Sequence, residues 1–86
     1  MTERLADTST DTETVIVGLL AELLMLAPED IELDQSFADI GVDSILAVEF
    51  VTMLRTRFDG VITVDTIYDN DSVRELAAVL RPVVTG

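Results

Sequence analysis

From Val15 to Ala27 the apolar residues Ile16, Leu19, Leu20, Leu23 and Leu26 recur at spacings of three and four, with Glu22 on the opposite side. That period predicts a helix seated on a core by one stripe. Thr10 and Glu13 stand three apart just ahead of the run, the spacing of a capping box, and place its start there; Pro28 discourages continuation. Residues 28–43 then read as a long acidic loop with Ile31, Leu33, Phe37 and Ile40 as apolar anchors. A loop of this length in a small domain is functional or disordered, and four anchors favour the first.

A second helix is predicted from Ser44 to about Phe58, before the Asp59-Gly60 break. Ala47, Phe50, Val51, Leu54 and Phe58 form a stripe sufficient to seat it. Ile45, Leu46 and Val48 are apolar but lie off that stripe, which predicts a solvent-facing patch near the helix start unless a compact bundle covers them. Val61-Ile62-Thr63-Val64 has the β-branched composition of a strand but no evident partner, so it is expected to be extended loop leading to a short helical turn around Asp65–Asp69. Ser72 and Glu75 repeat the capping-box spacing, and Val73, Leu76, Ala77 and Leu80 predict a last helix ending before Pro82. The expected fold is all-α: a four-helix bundle of three longer helices and a short third, with the long loop between the first two. One domain over residues 11–82 is expected, flanked by a flexible leader at 1–10 and a short tail at 83–86.

Charge and composition remove most alternatives. The 86 residues carry 17 Asp plus Glu against 5 basic residues, all arginine, for a net charge of -12. Such a chain repels nucleic-acid phosphates and anionic headgroups, and its natural complement is a basic protein surface. With no histidine, cysteine or lysine, a Ser-His-Asp triad, a thiolate metal site, a lysine Schiff base and a Walker phosphate loop are all excluded. Carboxylate-pair hydrolysis stays chemically open, although so short a chain leaves little room for a cleft. The N-terminal residues lack the h-region of a signal peptide, and no stretch approaches the roughly 18 apolar residues of a membrane span, so a cytoplasmic location is expected.

The segment Phe37-Ala38-Asp39-Ile40-Gly41-Val42-Asp43-Ser44-Ile45-Leu46-Ala47-Val48-Glu49-Phe50 resembles the prosthetic-group attachment segment of acyl carrier proteins. That pattern sets an apolar anchor before Gly-x-Asp-Ser-(Leu/Ile), then an apolar helix with a Glu five residues after the serine. Phe37, Gly41, Asp43, Ser44, Ile45, Val48 and Glu49 match it. The layout of helix, acidic loop, serine at a helix start, short third helix and capped fourth extends the resemblance over roughly residues 11–82.

The resemblance implies a bundle of acyl-carrier type in which Ser44 is an acceptor rather than a nucleophile. A phosphopantetheinyl transferase, using coenzyme A and a divalent metal, would attach 4'-phosphopantetheine to its hydroxyl, and acyl groups would travel as thioesters on the arm. The position suits this, because a helix start offers unpaired N–H groups and the positive end of the dipole. Gly41 would permit a tight bend, and Asp43 would be read by the transferase or its metal; the plain alternative is that Asp43 or Ser44 is an N-cap. Partner contacts are expected at Ile45, Leu46, Val48, Glu49, Arg55 and Ile62, with Ile62 and Ile67 lining an acyl-sheltering cleft between the second and third helices. Thr52, Arg55, Thr56 and Arg57 stand where fatty-acid carriers are acidic, which is more similar to polyketide synthase carriers. Gly41-Val42-Asp43-Ser44 departs from the Gly-Gly-x-Ser of peptidyl carriers, and Phe50 stands where carriers of polyketide β-branching often have tryptophan. A discrete, monomeric, non-catalytic polyketide carrier without a resident metal, serving acyltransferase or ketosynthase partners, is therefore expected. The alternatives are an aryl, aminoacyl or peptidyl carrier of a nonribosomal system, and an unmodified acidic interaction module.

Overall fold

The structure, a computed structural model, describes residues 8–82, with side chains described from 12 to 81. The expected tail at 83–86, and the expected leader apart from residues 8–10, lie outside the described residues.

Helix α1 (Thr8–Leu24) begins ahead of Thr10, which therefore stands inside the helix rather than at its cap. Its core stripe is Ile16, Leu19, Leu20 and Ala21, all buried. The helix stops three residues short of Ala27. Met25 adopts φ 59, and the Leu26 N–H donates back to the Ala21 carbonyl at 2.9 Å, closing the last turn as a left-handed C-terminal residue does, usually with glycine in that role. Leu26 consequently leaves the stripe and is 40% exposed.

The long loop is not irregular throughout. A 3-10 turn spans Pro28–Asp30, and a single helical turn, α2 (Phe37–Ile40), forms near its end with Ser36 as N-cap, its Oγ accepting from the Asp39 N–H at 3.1 Å. A 3.6-residue periodicity cannot reveal elements of about a single turn, although Ser36-x-x-Asp39 has the spacing of a cap. The Phe37 N–H donates to the Asp71 carbonyl and the Arg74 N–H to the Leu33 carbonyl, so the loop is sewn to the start of the last helix. Arg74 Nε also meets Asp34 at 2.6 Å; that hydrogen bond and the carboxylate charge hold the guanidinium pKa above its ordinary value.

Helix α3 (Ser44–Arg57) buries Ala47, Phe50, Val51 and Leu54 as its spacing predicts, and Phe58 closes the same stripe just past its end. Phe50 meets Phe37 edge to face, ring centroids 5.5 Å apart at 72°. Helix α4 (Val64–Asp69) is opened by a reciprocal Thr63–Thr66 capping box, and α5 (Val73–Val79) by Ser72, whose Oγ accepts from the Glu75 N–H. The Glu75 carboxylate accepts from the Asp71 N–H rather than from that of Ser72, one residue off the expected box. Helix α1 packs against α5 and α3, and α3 against α4, around one core.

The fold is all-α in its layers, with one addition. Phe58–Asp59 (β1) pairs antiparallel with Arg81–Pro82 (β2), Phe58 opposite Pro82 and Asp59 opposite Arg81. Neither dipeptide has strand composition, and proline cannot donate to a ladder; only tertiary placement brings the two ends together. Val61–Thr63 belongs to no helix or strand, as expected, whereas Val64, expected in the same loop, already opens α4.

Candidate functional site

Three consecutive devices aim the start of α3. The Gly41 N–H closes α2 on the Phe37 and Ala38 carbonyls, and Gly41 turns the chain at φ 125, a value that side chains disfavour. Val42 donates its N–H to the Phe37 carbonyl at 2.9 Å and buries its side chain, 8% exposed, which fixes the depth of the approach. Asp43 is then the N-cap: its Oδ1 accepts from the Leu46 N–H at 2.9 Å, and its carbonyl accepts the first helical bond, from Ala47, at 2.8 Å.

Ser44 therefore occupies the first helical position without a capping duty. It is exposed, and its hydroxyl makes no hydrogen bond among the described residues. The N–H groups of Ser44 and Ile45 precede the first i−4 bond and have no acceptor within the helix. An exposed hydroxyl beside free amides, at the positive end of a 14-residue helix, is a donor set suited to a phosphodiester. Asp43 is thus the cap that its residue type favours, and Ser44 is not.

The outward face of α3 carries Ile45, 72% exposed, Val48, 55% exposed, and Glu49. Thr52 continues it with its hydroxyl turned back to the Val48 carbonyl at 3.1 Å, and Thr56 with its hydroxyl on the Met53 carbonyl at 2.7 Å. Leu46 departs from the expected patch: it is half-buried against the core, because the 100° step of the helix carries it toward Phe50 and Met53 rather than toward Ile45. Ile62 departs further. At 2% exposure its side chain is core and closed to a partner, and only its backbone reaches the site, the carbonyl accepting from Arg55 Nε at 2.9 Å.

Ile67, at 1% exposure, is equally closed, so the two residues fill the space between α3 and α4 instead of lining a cleft there. A recess of about 350 Å³ does open beside Ile62, but its walls are β1, α4 and the end of α5, including Asp59, Asp65, Asp69 and Val79, with no α3 residue. Val42, Ser36 and the Asp71 carbonyl position the site without having been singled out. For Val42 the signal was available, as an apolar residue between a glycine and a cap; for the Asp71 carbonyl, none was.

Comparison with known proteins settles the class. A family profile described as the phosphopantetheine attachment site matches residues 14–80. The chain belongs to this carrier family. Members bind 4'-phosphopantetheine, and the residues that open α3 fit the group, as the exposed hydroxyl and free amides describe. The polyketide synthase PksL of Bacillus subtilis is 31% identical over 62 residues, 72% of this chain and 1% of that protein. The nonribosomal peptide synthetase cm3A of Cordyceps militaris is 35% identical over 69 residues, 80% of this chain and 1% of that protein. The chain therefore spans about 1% of the length of these two relatives. Among solved structures, the HMG-ACPI domain from the CurA module of Lyngbya majuscula superposes with a TM-score of 0.81 at 29% identity, over 91% of this chain and 80% of that one. A free-standing peptidyl carrier protein of Acinetobacter baumannii gives 0.75 at 26% identity, over 80% and 86% respectively. The carrier thus has relatives in both polyketide and nonribosomal peptide systems. No helix among its described residues is long and apolar enough to cross a membrane, and no group of three metal-ligating side chains comes together among them.

Proposed function

We propose that this carrier holds 4'-phosphopantetheine on Ser44 and shuttles acyl groups in polyketide biosynthesis. The observation that carries the reading is the exposed Ser44 hydroxyl at the first position of α3, released from capping because Asp43 does that work. In the modification, Ser44 Oγ bonds to the β-phosphorus of coenzyme A and the pyrophosphate P–O bond breaks. Adenosine 3',5'-bisphosphate leaves, and the hydroxyl proton passes to a base of the phosphopantetheinyl transferase, which also supplies the divalent metal. The amides of Ser44 and Ile45 would hold the phosphodiester of the attached group. When bound, the arm supplies a terminal thiol that holds acyl groups as thioesters.

The chain itself performs no catalysis. It presents Ile45 and Val48 as an apolar contact, rimmed by Glu49 and Arg55, to the transferase and then to acyltransferase or ketosynthase partners, and it works as a cytoplasmic monomer. The working domain is residues 11–82. Thr52, Arg55, Thr56 and Arg57 along the second half of α3 favour a polyketide over a fatty-acid setting.

Mass spectrometry after incubation with coenzyme A and a broad-specificity transferase tests the attachment. Wild type gains one phosphopantetheinyl mass and Ser44→Ala none; an unmodified wild type would make the protein an acidic interaction module instead. The peptidyl reading is kept alive by the peptide-synthetase relative and the peptidyl carrier structure. Loading assays that supply acyl, aryl and aminoacyl groups separate it from the polyketide reading.

A further inference from the structure

The line that runs from Ser44 down α3 ends on a cation that the fold has fixed in place. Ser44, Val48, Val51 and Arg55 follow spacings of four, three and four, so they share one flank of the helix. That flank adjoins the segment before α4, since Arg55 Nε donates to the Ile62 carbonyl at 2.9 Å. Eleven residues separate Ser44 from Arg55, about 16 Å of helix. A pantetheine arm is about as long as five extended residues, roughly 17 Å.

Arg55 is set apart by its anchor. Among the described arginines Arg74 is bound to Asp34, while Arg55, Arg57 and Arg81 form no ion pair, and of these three only Arg55 makes a side-chain hydrogen bond within the protein. Its Nε is committed to a backbone carbonyl, which holds the guanidinium plane, while its remaining N–H groups make no hydrogen bond among the described residues. A planar fork of donors, oriented and left open, suits a carboxylate or a pair of carbonyl oxygens. Between it and Ser44 the exposed face of Val48 offers an apolar surface, Val51 being closed in the core, and the flank carries no competing acceptor side chain.

We propose that Arg55 is a cargo-reading residue: it receives the β-carboxylate or β-carbonyl oxygen of an acyl group whose arm lies along this flank of α3. The inference rests on attachment at Ser44. It assigns the cargo to the carboxylate- or carbonyl-bearing acyl class rather than to plain aliphatic chains. It is compatible with Arg55 meeting partners, because the arm leaves the flank when an enzyme takes up the cargo.

The test loads the protein from malonyl-coenzyme A or butyryl-coenzyme A with a broad-specificity transferase, the two groups being similar in size but only malonyl bearing a carboxylate. Two readouts are taken: the Arg55 Nε–Hε resonance, and the difference in melting temperature between malonyl- and butyryl-loaded protein. The expected result is a resonance shift with malonyl and not with butyryl, together with a malonyl-loaded form that melts several degrees higher. In Arg55→Gln that difference disappears; comparing two cargoes within one variant cancels any loss of stability from the missing Ile62 contact. Equal behaviour of the two cargoes, or a malonyl effect that survives in Arg55→Gln, overturns the proposal. Absence of any mass gain on the wild type overturns it together with attachment at Ser44 and is recognised separately, before either readout is taken.

Discussion

Replacing Asp43 separates what the residue does for the helix from what it does for the modifying enzyme. Its Oδ1 accepts the Leu46 N–H at 2.9 Å, so Asp43→Ala leaves that amide without its acceptor at an exposed helix start. Loss of an N-cap costs about 1 kcal/mol, with a range of roughly 0.5–2. In a domain of this size each 1 kcal/mol moves the melting temperature by about 4–8 °C. Asp43→Asn keeps an equally good capping oxygen and loses only the charge beside the helix dipole, worth about 0.3 kcal/mol at an exposed position. Thermal denaturation followed by circular dichroism should therefore give a clear fall for the alanine variant and a much smaller one for the asparagine. Transferase kinetics should divide differently. If the carboxylate is read by the enzyme or its metal, Asp43→Asn loses about tenfold or more in kcat/KM, the scale of one charge-assisted hydrogen bond, while melting almost as wild type. An asparagine variant that melts as low as the alanine one would refute the capping argument. Modification of Asp43→Asn at the wild-type rate would leave the residue a cap and nothing more.

Val48→Asp should raise the KM for partner enzymes severalfold without changing the melting temperature by more than a degree or two, since the side chain is 55% exposed; a large thermal loss would place it in the core. Gly41→Ala should cost about 1–3 kcal/mol through the φ of 125 alone, because a Cβ there meets no atom within 4 Å, and a melting temperature equal to wild type would mean that the turn relaxes freely. Met25→Gly should stabilise by about 0.5–1 kcal/mol, since glycine removes the left-handed penalty at φ 59 and the side chain is 90% exposed; a lower melting temperature would show that unfolded-state entropy outweighs it.

What could be read in advance divides by the range of the interaction. The stripes of α1, α3 and α5 are local periodicities, and Ile16, Phe50, Leu54 and Leu76 are all fully buried where spacing put them. Ser44, Gly41 and the exposed pair Ile45 and Val48 were legible for the same reason, as positions on one helix and its entry. The misjudged positions depend on what lies across the core. Ile62 is expected at a partner contact and a cleft wall only through the resemblance, and its burial depends on the α3–α4 packing that no local pattern encodes. The β1–β2 pair joins residues more than twenty apart in sequence, and the attachment of the long loop to α5 uses the Asp71 and Leu33 carbonyls, which no side chain advertises. Pro28 is a visible stop and a left-handed Met25 is not, so α1 ends three residues before the position that the sequence suggests.

The two faces of α3 answer to different demands, and this explains how one helix can both hold the bundle together and be handed between enzymes. Ala47, Phe50, Val51 and Leu54 are at most 4% exposed, so change there is felt by the whole domain. Ile45, Val48 and Glu49 stand on the other side and touch little of the core, so change there is felt chiefly by a visitor. The hydroxyls of Thr52 and Thr56 are bonded to their own helix, which reduces what those residues offer outward as donors and lets the apolar contact extend beyond Val48. Thr52→Ser keeps the hydroxyl and removes the methyl group, so a partner that packs along this face should lose about fourfold in affinity, the worth of one buried methyl. Its melting temperature should stay near that of the wild type, and titration calorimetry against a transferase reads the binding directly. Affinity unchanged in Thr52→Ser would confine the contact to the first turn and a half of the helix.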